Sequence, residues 1–151
     1  MMSPAGFDHG RLAINIGNAL ANFAKVRSLG IVVSAEPGFQ IAHDPDTVRA
    51  PDVAFVRAER IPPGGVKGFF QGSPDIAVEI VSPNDRASKV MAKAQDWLQA
   101  GSSLVWVVDP ETRTISVYRT RNEIAVLDET DTLTGGDVLP GFAVPVAKIF
   151  A

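Results

Sequence analysis

The sequence predicts an α/β fold with a mixed central β-sheet flanked by helices. Three observations carry this. A helical spacing of apolar residues opens the chain, several short β-type runs follow, and a strand–helix–strand unit then leads into a hairpin. Helical and strand periods of 3.6 and 2 are distinguishable over such lengths, and a strand–helix–strand unit is expected to be a right-handed parallel crossover.

The elements follow in order. Residues 1–8, with Ser3, Pro4 and Gly6, read as a flexible N-terminal arm, and 9–151 as one domain, as expected for 151 residues. Leu12, Ile16, Ala19, Leu20 and Phe23 recur at steps of three and four, giving an amphipathic helix from His9, with Asp8 as the candidate N-cap and Gly30 beyond its end. Residues 31–35, 38–42 and 51–56 are β-type runs, with a turn signal at 43–47. The segment 57–74 is rich in glycine and proline, and a loop of that length inside a domain is often functional. Residues 75–81 form a strand, 85–100 a helix stopped by Gly101, and 104–108 a strand apolar on both faces. Residues 114–118 and 124–127 look like a hairpin, and the tail from Thr134 carries Gly135-Gly136, Pro140-Gly141 and Pro145 before a short apolar end.

Composition narrows the function classes. Apolar residues make up 46% and charged residues 21%, ordinary globular values. There is no cysteine, so disulfides and thiolate zinc sites are excluded, and two histidines, His9 and His43, are too few for a His-rich zinc site. No run approaches a membrane span and no secretory signal opens the chain, so a cytoplasmic protein away from membranes is expected. The net charge of −3 and pI of about 5.3 count mildly against a surface built to hold duplex DNA tightly.

Two carboxylates stand out. Along 75–81, Ile76, Val78 and Ile80 share one face, and Asp75, Ala77, Glu79 and Val81 the other. Glu79 is thus an ionisable group in an apolar strand, which is costly unless it is paired or holds a metal. Asp52 poses the same problem at the start of Pro51-Asp52-Val53-Ala54-Phe55-Val56. Two carboxylates at the ends of adjacent strands make a hard-oxygen site suited to Mg²⁺ or Mn²⁺, and such an ion can activate water and offset phosphoryl charge. Lys93 borders the apolar stripe of the following helix and can bring its ammonium to the strand ends. Lys89, one turn earlier, is a weaker candidate for the same role.

Other residues carry two readings each. Glu36 is a further acidic group at the site or a polar residue at a bend. His9 could approach the site from the side, although a solvated helix-start histidine is the plainer reading. Ser82 reads as a strand-end or capping group, Asp109 as a turn residue, and Trp97 and Trp106 as core. Arg49, Arg57, Arg60 and Lys67 flank Asp52 and the long loop and are candidate phosphate contacts.

Residues 49–53 (Arg-Ala-Pro-Asp-Val), 75–83 (Asp-Ile-Ala-Val-Glu-Ile-Val-Ser-Pro), Lys93 and 105–110 (Val-Trp-Val-Val-Asp-Pro) together resemble the Uma-two family of restriction-endonuclease-like proteins in the PD-(D/E)XK nuclease superfamily. The resemblance runs from about His9 to Phe150. It implies a restriction-endonuclease-like fold and a Mg²⁺- or Mn²⁺-dependent endonuclease acting on DNA. Asp52 and Glu79 would be metal ligands, a backbone carbonyl near Ile80 would complete the shell, and Lys93 would be the catalytic lysine. Two residues after Glu79, where many of the superfamily carry lysine, this chain has Val81; Lys93 matches the family's lysine on the next helix. Cutting both strands needs two sites, so a homodimer is expected. The alternative is a non-catalytic binding or assembly module that keeps the nuclease fold.

Overall fold

The computed structural model describes residues 6–151. The first five residues of the expected arm lie outside the described residues. Phe7 and Asp8 are already helical, because α1 spans Phe7–Val26 and its N-cap is Gly6. Asp8 therefore caps nothing. It sits in the first turn, where a carboxylate complements the helix dipole, and meets Arg11 at 3.3 Å.

Six strands form the main sheet in the order β1-β4-β6-β7-β8-β9: β1 (Gly30–Ser34), β4 (Val53–Arg57), β6 (Ile76–Ile80), β7 (Leu104–Asp109), β8 (Thr114–Thr120) and β9 (Glu123–Leu127). β6 and β7 pair in parallel and are joined by α2 (Ala87–Ala100); the other neighbours are antiparallel. The sheet is therefore mixed and flanked by helices, as the sequence predicts. Gly30 lies beyond the end of α1, as expected, and starts β1. A Cβ there would lie 2.1 Å from the Val56 carbonyl oxygen, so close backbone approach requires glycine.

Strand alternation builds a core on each face. Val53, Phe55, Ile76, Val78, Ile80, Trp106 and Ile115 face α1, whose Leu12, Ile16, Leu20 and Ala24 cover them. Ala54, Val56, Ala77, Val105 and Val107 face α2, which contributes Ala94 and Trp97. Alanines at 54 and 77 let the helix lie close to the sheet. A small sheet of β3 (Thr47–Arg49), β2 (Phe39–Ala42) and β5 (Phe70–Gln71) extends this second core, with Phe39 edge-on to Trp97 at 6.1 Å.

The tail differs from its reading as turns and a short apolar end. It folds into a second hairpin, β10 (Thr132–Gly135) and β11 (Leu139–Pro145), and a terminal helix, α3 (Val146–Phe150). The driving force is burial: Leu133, Leu139, Phe142, Val146, Ile149 and Phe150 close the α1 face. The helix expected from Asp85 starts at Ala87, because the Asp85 carboxylate accepts the Ser82 amide at 2.8 Å and holds a turn there. Among the described residues, no helix is long and apolar enough to cross a membrane.

The long segment after β4 is shorter in irregular chain than expected, because it holds a 3₁₀ turn at Ala58–Arg60 and strand β5. Asp75 ties it down. One of its carboxylate oxygens accepts the Arg57 amide at 2.8 Å and meets the Arg60 guanidinium at 3.0 Å, and Arg60 also donates to the Ser73 carbonyl at 2.7 Å. Asp75 is buried and Arg60 only partly so. Asp75→Ala is expected to cost about 2–4 kcal/mol, because it strands an amide and a guanidinium. Chemical denaturation checks this; a loss under about 0.5 kcal/mol would show that the segment is held by other contacts.

Candidate active site

Asp52 and Glu79 come off the ends of paired strands. Val53 pairs with Val78, and Asp52 and Glu79 are the next residues outward on each strand. Asp52 is not within β4 but in the bend just before it, and its amide donates to the Val78 carbonyl at 3.0 Å. The bend lets its side chain leave the strict alternation of the strand. One Asp52 oxygen accepts the Ile80 amide at 2.7 Å, and the other lies 3.1 Å from Nε2 of His9 in the first turn of α1. The sheet end and the helix start are thus clamped through one carboxylate.

Glu79 lies inside β6 and is only 8% exposed. It faces α2, where Trp97 Nε1 donates to its Oε2 at 2.9 Å; Oε1 accepts no hydrogen bond among the described residues. Burial pushes the Glu79 carboxyl up to about 7. The Trp97 hydrogen bond pulls the other way, the Asp52 charge raises it further, the Lys93 cation lowers it, and Asp85 adds a smaller upward push. The Asp52 and Glu79 charges therefore feel each other, and Lys93 is near enough to matter to Glu79.

Two hollows meet this pair. Glu79 lines a cleft of about 400 Å³ together with Arg49, Lys89, Lys93, Asp85, Asp96 and Trp97. Asp52 lines a groove of about 980 Å³ together with Asp8, His9, Glu36, Ser82, Asp109 and Glu111. The first hollow carries three cations and three carboxylates, and the other is predominantly acidic.

The predicted site residues distribute as follows. Lys93, Lys89 and Arg49 gather around Glu79, and His9 and Glu36 around Asp52. Glu36 is held at the groove by a tight corner in which both Ala35 and Glu36 have φ of 62°. Ile80 contributes its amide to Asp52. Val81 packs against the second core and lines the acidic groove, and it is not among the residues that line the Glu79 cleft. Arg57 and Lys67 are not brought in. Arg57 is at the far end of β4, roughly 17 Å along the strand from Asp52, and Lys67 lines a separate hollow with Arg60 and Phe70. Asp109 accepts the Glu111 amide at 3.0 Å, the turn role expected of it.

Trp97 is the residue that the sequence reading passed over as core. It is buried, but its indole also supplies the hydrogen bond to Glu79. The signal was present in the spacing: Trp97 follows Lys93 by four residues, so both lie on one helix face, and a buried indole N–H needs an acceptor.

Among the described residues, no three His, Asp or Glu side chains are grouped as a ready metal site. The donor set nonetheless fits a hard divalent cation. Mg²⁺ commonly takes one or two carboxylates and fills its remaining positions with water, and Glu79 Oε1 is uncommitted.

The comparisons bear on the family and the fold. The model of the Uma2 family, described as "Putative restriction endonuclease", matches residues 1–147. A search of curated proteins finds no match. Among solved structures, a protein of Anabaena variabilis described as a "putative nuclease belonging to DUF820" superposes with a TM-score of 0.86 at 22% identity, covering 99% of this chain and 83% of that one. That likeness establishes the shared, restriction-endonuclease-like fold. With the family model matched over nearly its whole length, the chain belongs to the Uma2 family.

Proposed function

We propose that the protein is a Mg²⁺- or Mn²⁺-dependent endonuclease that hydrolyses phosphodiester bonds of DNA. The observation that carries this reading is a buried carboxylate, Glu79, at a strand end beside Lys93, with Asp52 next to it on the paired strand. Nothing in a plain structural role requires a carboxylate to be buried there at such cost. Asp52 and Glu79 would hold the cation, with the Ile80 backbone as a further oxygen donor. When bound, the cation supplies Lewis acidity and a lowered pKa for a coordinated water.

The chain's own residues do the rest. Trp97 keeps one Glu79 oxygen turned toward α2, which leaves the other outward. His9 and the Ile80 amide fix Asp52 from two sides. The Lys93 ammonium orients the attacking water and offsets charge on the phosphate. Arg49 and Lys89, in the same cleft, receive phosphate oxygens of the strand. Water oxygen bonds to phosphorus and gives up a proton to solvent, the ester P–O bond breaks, and the departing oxygen takes up a proton from solvent. His9 and Glu36 are accessory groups from the acidic groove. A homodimer would place one such site on each strand of a duplex.

The reading is tested by incubating plasmid and linear DNA with the purified protein and Mn²⁺ or Mg²⁺. Cleavage that EDTA abolishes and that falls at least ~10²-fold in Asp52→Asn is the expected result. Equal cleavage by Asp52→Asn would refute the assignment. A second reading, a non-catalytic module on the same fold, is favoured by Val81 at the usual lysine position and by the lack of a three-residue metal cluster among the described residues. It predicts no heat of Mn²⁺ binding by calorimetry and no cleavage of any nucleic acid.

A further inference from the structure

A second cleft lies on the opposite flank of α2. It encloses about 540 Å³ and is lined by Gln95, Leu98 and Gln99 of the helix, Ser102 after it, and Arg119, Thr120 and Arg121 at the end of β8. It contains two guanidinium groups and no carboxylate. Arg119 and Arg121 are exposed and make no ion pair among the described residues, whereas Arg11, Arg60 and Arg113 each meet a carboxylate. In a chain of net charge −3, two unspent guanidiniums with two amide side chains make a hollow that selects an anion.

The surface between the two clefts is an independent observation. Ser88, Ala92, Gln95 and Gln99 follow one another at steps of four, three and four, so they form one stripe along α2. The stripe is small or neutral throughout. Its Ala92 borders the Glu79 cleft and its Gln95 and Gln99 border the second. Acidic Asp96 lies on the Glu79 side, off the stripe. A polyanion crossing α2 along this line meets no carboxylate.

The spacing also fits. From Lys93 to Gln99 the helix rises about 9 Å, and crossing its breadth adds about 10 Å. The clefts are thus roughly 13 Å apart, a span of only a few nucleotides, since a strand advances about 3.4 Å per nucleotide along the duplex axis and winds around it as it does.

We propose that the Arg119–Arg121 cleft binds a backbone phosphate of the same DNA strand whose scissile phosphate lies at Glu79 and Lys93, a few nucleotides away. The inference rests on the DNA-binding half of the function proposed above. It adds a strand path over α2 and a second anchoring point, which contacts phosphate and so holds the strand without reading its sequence.

The test is binding of fluorescently labelled duplex DNA by anisotropy in EDTA, where cleavage cannot intervene, across a range of salt. The double variant Arg119→Gln/Arg121→Gln should bind about tenfold more weakly at low salt, and the slope of log K against log salt should shrink by about 1–2. Gln95→Glu, which places a carboxylate on the stripe, should weaken binding as well. The control Lys25→Gln/Arg27→Gln removes the same charge from exposed positions at the end of α1 and should change neither quantity. Unchanged affinity and slope in the Arg119/Arg121 variant would overturn the proposal, and so would an equal loss in the control or a parent protein that binds no DNA. Parent protein that binds DNA in this way but never cleaves it with Mn²⁺ would count against the nuclease reading alone.

Discussion

Glu79→Gln is expected to abolish metal-dependent cleavage and, at the same time, to stabilise the metal-free protein above neutral pH. Gln keeps the size of the side chain and can still accept the Trp97 indole hydrogen bond, but it cannot bring a charge to a cation. Rates should fall at least ~10²-fold. The gain in stability follows from the raised pKa. Glu79 titrates near 7 in the fold against an ordinary value of 4.5. Its neutral form therefore favours the fold, and that contribution is complete below about 4.5. It is lost as pH rises through about 7, for a total on the order of 3 kcal/mol. The parent should lose this stability between pH 5 and 8, and Glu79→Gln should not. Calorimetry of metal-free protein at both pH values reads the difference, at about 2–4 °C per kcal/mol. Because a bound cation needs the ionised carboxylate, Mn²⁺ affinity of the parent should rise with pH up to about 7 and then level off. A variant that melts no higher than the parent at pH 8 would show that Glu79 is not strained by its burial.

Lys93→Met is expected to lower kcat by about 10²–10³-fold while leaving Mn²⁺ affinity within a few-fold of the parent. Lys89→Met, in the same cleft, should act mainly on KM. The structure separates the two lysines. Both line the cleft, but Lys93 is the one whose cation pulls the Glu79 carboxyl down. The exposed Met91 on the same helix makes methionine a tolerable replacement in shape and helix propensity. Steady-state kinetics on a labelled duplex, together with calorimetric titration of Mn²⁺, decide the matter. Parent-like kcat in Lys93→Met would end its assignment, and an equal kcat loss in Lys89→Met would mean that general positive charge is what counts.

What could be read from the chain and what could not divide along physical lines. The sheet and its two main helices were legible because burial on one face writes itself into spacing: Leu12, Ile16 and Leu20 for α1, and Ile76, Val78 and Ile80 for β6. The candidate residues Asp52 and Glu79 were legible because a charge in an apolar strand breaks that pattern. The tail hairpin and α3 were missed because their apolar residues fall between glycines and prolines, and only closure against α1 makes them core. The bend at Asp52 has no local signature for a similar reason, since its clamp joins residues 9, 52 and 80 from three separate elements. Arg57 and Lys67 were drawn toward the site by proximity in sequence. β4 carries Arg57 to the opposite end of the sheet, and the loop folds Lys67 into a hollow of its own.

The placement of Lys93 and Trp97 one helical turn apart has a mechanical consequence. The cation that attracts Glu79 and the indole that binds it are carried by the same rigid rod, seated on the sheet through Ala94 and Trp97 itself. Sliding α2 to change the distance from ammonium to carboxylate would tear the indole bond in the same movement. In the nuclease proposed above, the cleft would keep its shape before a strand arrived, and the motion of turnover would fall to the substrate and not to the helix.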